Sequence, residues 1–271
     1  MSPRWRAVWA VVRKDLRVAL GSKAVTVPFA VVPAFFMFAM PLAVALAAPF
    51  AAREAATVTE LFETVSPALV ASLEGLDDAQ RVVTLGIVYM LAPLFLVVPL
   101  MVANVLAADS FAGEKERKTL EVLVYSPLSD RDLVLAKMLS AWLPAVGVGL
   151  ASFVVYAVTA NAAAWPVMGR IFVPTPMWLV LIAWVMPAVA AVGLGAAVIV
   201  SARVSTFQEA YQVGGVVVLP IVALVIAQAT GVIYFSTWLV AALGAVLWLA
   251  AAVMLRLGAR SLRRTELVSR L

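Results

Sequence analysis

The chain has 271 residues, of which 65% are hydrophobic and 13% charged, and its mean hydropathy is +1.05; soluble domains average about 25% charged residues, and a single soluble core of this size cannot bury so much apolar surface, so lipid is the solvent for most of the chain. Cysteine and histidine are both absent, which excludes a disulfide framework, a thiolate metal site, a cysteine nucleophile and the commonest general base. The net charge of +5 is read first as a topology signal and not as affinity for nucleic acid. The first predicted element is a helix over residues 2–22, with Ser2 as N-cap and Pro3 at the first helical position. Trp5, Val8, Trp9, Val12, Leu16, Ala19 and Leu20 form an apolar stripe, and Arg6, Arg13, Lys14 and Arg17 lie opposite. Tryptophan on one face and cations on the other suit a helix lying in the membrane interface. A simple anchor on anionic lipid and a lever touching a cytosolic partner both fit that pattern. Gly21 and Ser22 end the helix.

Six stretches then satisfy the need for about 20 mostly apolar residues: 24–49, 82–108, 138–160, 177–200, 211–229 and 237–255, none of which contains Asp, Glu, Lys or Arg. The expected fold is all-α, a single transmembrane domain over 1–271 with six spans and the N-terminal amphipathic interfacial helix. Ala43, Ala45 and Ala47 resemble a signal-peptidase site, but a signal h-region runs only about 7–15 residues, so the first span is expected to stay as an anchor. Cations are strongly sorted. All 20 Lys and Arg residues except Arg53, Arg81 and Arg170 fall in the N-terminal segment, in loop 109–137, at Arg203 or in the C-terminal tail. By the positive-inside rule, both termini and loop 109–137 are cytoplasmic. Loop 50–81, with Glu54, Glu60, Glu63, Glu74, Asp77 and Asp78, lies outside and is too small for a catalytic domain.

Loop 109–137 carries six acidic and five basic residues. Residues 114–124 read as a short helix with Phe111, Leu120 and Leu123 as apolar anchors and Glu114 paired to Lys118 at i, i+4. Ser126-Pro127 stops it, because the residue before proline disfavours the helical region. Ser129 begins the next helix, with Asp132 three residues on in a capping-box arrangement. A short charged helix held between two membrane helices can transmit force from a soluble partner; a solvated connecting loop is the plainer alternative.

The run Gly113-Glu114-Lys115-Glu116-Arg117-Lys118-Thr119-Leu120-Glu121, followed by Tyr125-Ser126-Pro127-Leu128-Ser129 and then Lys137, resembles the signature loop of type-2 ABC exporter permeases. Six spans and an amphipathic N-terminal helix are similar to that family too. The resemblance implies that the loop holds a coupling helix docking on a separate ABC ATPase subunit, with Glu114, Glu116, Arg117, Thr119, Leu120, Glu121, Ser126 and Pro127 as ATPase-coupling residues. It also implies two permease copies, identical or paralogous, with ATP and magnesium bound by the ATPase, in a bacterial-type cytoplasmic membrane.

The chain has no G-x-x-x-x-G-K-[ST] phosphate loop, and Gly21-Ser22-Lys23 is only a fragment of one. Its spans hold no ionisable carboxylate or histidine for a proton relay. If the chain belongs to an active transporter, its energy is expected from another chain. A membrane scaffold recruiting a cytosolic protein and an ATP-independent carrier or channel are the alternatives. No catalytic residue is expected: Ser140 near Lys137 lacks the rest of a hydrolytic site. The expected pathway is the wall formed by the second and fifth spans, at the interface of two copies. Pro93, Pro99, Asn104, Tyr211, Gln212, Gly214 and Gly215 can bend backbone or orient cargo there. Such largely apolar surroundings suit an amphiphilic or hydrophobic substrate.

Overall fold

A computed structural model describes residues 3–21, 31, 33–53, 66–117 and 130–261. The described residues are helical and contain no strand. Helix α1 spans Pro3–Gly21, within the expected 2–22. Helix α2, Phe35–Ala51, is apolar but shorter than the spanning helices. Residues 24–30 and 32 of the expected first span lie outside the described residues. Five helices among the described residues are long and apolar enough to cross a membrane, against the six expected from the sequence.

A short helix, α3 (Pro67–Ser72), starts where the Ser66 hydroxyl accepts from the Leu69 N–H at 3.3 Å. Helix α4 runs over Asp78–Glu116. Its 39 residues measure about 58 Å at 1.5 Å per residue, well over a hydrocarbon core of about 30 Å. The expected boundary at residue 108 falls short because the charged residues that follow continue the helix. Asp77 and Gln80 close a reciprocal capping box at its start, which satisfies two N–H groups otherwise without partners. Helix α5 is Asp130–Ala163, followed by one turn, α6, over Trp165–Met168. Helix α7, Pro176–Ser201, is capped by Thr175, whose hydroxyl accepts from the Trp178 N–H. Helix α8 is Phe207–Ala229, and α9 is Thr237–Ser261.

Helices α4 and α7 are the buried pair at the centre, while α5, α8 and α9 each keep much of their surface open. Helix α7 packs extensively on both α4 and α9, and α1 lies along α5. The α4–α7 approach is close enough that a Cβ on Gly193 would stand 2.8 Å from the carbonyl oxygen of Leu100. Small residues permit such backbone contact where lipid supplies no hydrophobic drive to hold helices together.

Two π-helical turns organise this centre, Thr84–Met90 in α4 and Leu181–Val185 in α7. Wider turns and nearby prolines release carbonyls from the helical ladder, and in a bilayer each needs another donor. Pro93 has no N–H to offer Val88 or Tyr89. The Trp178 indole of α7 donates to the Val88 carbonyl at 2.9 Å, and the Tyr156 hydroxyl of α5 donates to that of Ile87. The Tyr156 and Trp178 rings stack at 4.7 Å, with Phe95 edge-on to Trp178 at 5.5 Å. Trp142 donates to Pro187 O at 2.9 Å, Trp184 to Ala241 O at 3.1 Å and Trp248 to Trp184 O at 3.2 Å.

Candidate functional site

The lower end of α4 passes through a third π-helical turn, Asp109–Gly113, into Glu114–Glu116. This turn places Asp109, Ser110 and Glu114 in buried positions. Burial of a carboxylate is tolerable only when it is paired and hydrogen-bonded. Glu114 meets that condition twice. One oxygen accepts from Lys14 of α1 at 2.6 Å and the other from Lys137 of α5 at 2.5 Å. Lys14 retains 48% of its side-chain exposure, Lys137 only 3% and Glu114 6%. Lys137 also donates to the Ser110 carbonyl at 2.7 Å and stands over the Phe111 ring at 5.4 Å. Three helices from separate parts of the chain thus meet on one carboxylate.

The next residues tie the same end of α4 to the start of α8. Lys115 donates to the Val204 carbonyl at 3.0 Å, and Glu116 accepts from the Phe207 N–H at 2.9 Å. Phe207 is the first residue of α8, so its N–H has no acceptor within that helix. The Thr206 hydroxyl accepts from the Glu209 N–H at 3.2 Å, completing the cap. Arg117 turns back to Asp109 at 3.0 Å.

Among the coupling residues expected from the sequence, Glu114, Glu116 and Arg117 are therefore held by contacts within the chain. Thr119, Leu120, Glu121, Ser126 and Pro127 lie outside the described residues, as does Lys118, the expected partner of Glu114. Among the described residues, Glu114 pairs with Lys14 and Lys137. Sequence spacing assigned Lys14 only to the cationic face of α1. Its distance of 100 residues from Glu114 left no local signal for the pair. Ser140 and Lys137 make no dyad: the Ser140 hydroxyl donates to the Lys137 carbonyl at 2.8 Å, and the ammonium is turned to Glu114.

The expected pathway residues divide. Asn104, Tyr211 and Gly214 come together where α4 crosses α8. The Asn104 amide donates to the Tyr211 carbonyl at 3.3 Å, and a Cβ on Gly214 would meet Asn104 Oδ1 at 2.2 Å. Gln212 is exposed, and a Cβ on Gly215 would meet open space. Pro93 and Pro99 are buried within α4 on either side of an irregular turn at Leu96.

On α1, Val12 is buried whereas Trp5 and Trp9 are exposed. Arg6, Arg13 and Arg17 are exposed as well. No group of acidic residues among those described could hold a metal ion. The family described as ABC-2 family transporter protein has a model that matches residues 9–237. No curated protein matches the chain.

Proposed function

The chain belongs to the ABC-2 transporter family and is a multi-pass membrane permease component; from that premise we propose that it is the membrane-spanning subunit of an ATP-driven exporter for an amphiphilic or hydrophobic substrate. A separate cytosolic ABC ATPase binds ATP and magnesium, and docks on loop 109–137 through Thr119, Leu120, Glu121, Ser126 and Pro127. A second permease copy or a paralogue completes the assembly. Residues 24–49 provide the first of six spans, α1 lies in the interface, and both termini face the cytoplasm of a bacterial-type cell.

The observation that carries this reading is the shared ion pair at Glu114. It closely precedes residues 119–121 in sequence and joins α1, α4 and α5, while Lys115 and Glu116 reach α8. Force arriving at the loop therefore has rigid routes into the second, third and fifth spans. In this scheme Glu114, Glu116 and Arg117 are positioning residues, and Leu120 and Glu121 touch the ATPase. Substrate passes between the two copies along the 211–215 end of α8, beside Tyr211, where Gln212 and Gly215 are open, while Pro93, Pro99, Asn104 and Gly214 are buried behind it inside one copy and shape that end of the helix pair.

The test is reconstitution with the partner ATPase after replacing Leu120→Ala and Glu121→Ala together. The permease should remain folded while the ATPase dissociates or its hydrolysis ceases to respond to substrate. Unchanged co-purification with unchanged stimulation would overturn the coupling assignment.

A further inference from the structure

Beyond the Asn104–Gly214 crossing, α8 changes character. Gly215–Val218 is a 3₁₀ segment, and Pro220, one turn on, has no N–H to restore the helical ladder. The first part of α8, up to Gly214, packs on α7 and on the lower part of α4; the later part, Leu219–Ala229, rests on Thr84–Phe95 of α4. The departure from α7 leaves a half-open cavity of about 430 Å³ between α4, α7, α8 and α9. Leu96 and Leu100 of α4, Val189 of α7, Ile221 and Leu224 of α8, and Leu243 of α9 are among its walls, and every lining side chain is a hydrocarbon.

We propose that this cavity is a binding site for one acyl chain of a bilayer lipid. It offers almost no polar surface to water, which needs two to four partners, and an unfilled void of this size would forfeit dispersion contacts along its whole lining. Its volume lies within the range of small-ligand sites. The surroundings name the occupant. Residues Val216, Leu219 and Val222 of α8 interleave with the lining positions of the same helix and are exposed. The cavity wall thus continues into an open apolar stripe on α8 beyond the 211–215 end assigned to the passage, and an acyl chain of the bilayer enters from that side without crossing water. The site is built inside one copy of the protein, so it is separate from the proposed passage between copies. The inference rests on these four helices spanning the membrane, as read above.

The test uses the full chain in nanodiscs of phosphatidylcholine and phosphatidylglycerol, doped with a phosphatidylcholine bearing a photoactivatable diazirine in one acyl chain. Illumination is followed by peptide mass spectrometry, with no ATPase or nucleotide present. Adducts should appear on Ile221, Leu224 and Leu243, as well as on exposed Leu249 and Val253 of α9, which serve as controls. Labelled controls with unlabelled cavity residues would overturn the proposal. The variants Ala223→Phe and Ala227→Phe, which enlarge two wall residues, should lose the cavity adducts and keep the controls. Undiminished cavity labelling in a folded variant would also overturn it. The labelling pattern of the unaltered chain decides the question even if neither variant folds. Failure of ATP-driven export would leave this result standing, and absence of cavity labelling would leave the permease reading standing.

Discussion

Glu114 faces two cations, one of them almost wholly buried, so its removal is costlier than the removal of either lysine. Breaking a buried pair by deleting one partner typically costs about 3–5 kcal/mol, because a charge is left without compensation. Glu114→Ala should therefore lower the unfolding temperature in detergent more than Lys14→Ala, since Lys14 is half exposed and exposed pairs contribute about 0–1 kcal/mol. Equal effects in thermal melts would contradict the geometry. A second test concerns the crossing of α4 and α8. Gly214→Ala forces its methyl group against the Asn104 amide, and overpacking of this kind costs about 1–3 kcal/mol. Asn104→Ala removes the obstructing atoms, so the double variant should recover most of the stability lost in Gly214→Ala. A double-mutant cycle with no interaction energy would show that the two positions do not meet.

At the scale of whole helices, the Trp178 indole stands in at Val88 for a hydrogen bond that Pro93 and the neighbouring π turn have removed. Trp178→Phe retains much of the ring but strands the Val88 carbonyl, at a cost of about 1–3 kcal/mol for an unsatisfied buried group. Thermal unfolding of that variant should show a larger loss than Trp238→Phe, whose ring is 86% exposed. The five long helices were legible in the sequence because bilayer thickness demands long runs without charge, and 82–108 and 177–200 announce themselves on that ground alone. The π turns were not, since a run such as Thr84–Met90 has the same composition as any apolar helix. The lengthening of α4 through Asp109–Gly113 was hidden for a related reason: its acids look solvated until Arg117, Lys14 and Lys137 are brought beside them. The sequence did single out Asn104, Tyr211 and Gly214 as unusual for a bilayer. Their common location depends on the crossing of α4 and α8, which no local pattern encodes.

For the whole molecule, the sorting of cations makes a topological prediction. Lys115 is exposed at the end of α4, and the chain has no cysteine of its own. In Lys115→Cys, an impermeant thiol reagent should label the protein only after cells are opened. Labelling of intact cells would reverse the assigned orientation. The energy source is testable in proteoliposomes. Transport should require the partner's ATP hydrolysis and persist after ion gradients are collapsed, because the spans provide no titratable relay. Movement driven by a gradient without ATP would end that mechanism.

The junction on Glu114 also dictates an order of assembly. Its first lysine is synthesised 100 residues before the glutamate and its second 23 residues after it. When α1 leaves the ribosome, the carboxylate it will eventually hold does not yet exist. Even after α4 is complete, the buried pair with Lys137 is still missing. Helix α1 consequently cannot reach its final berth before the beginning of α5 has been made, so a segment made before α4 is secured only after it. Nascent chains stalled after α4 but before Lys137 should leave α1 open to protease, and chains stalled past α5 should protect it.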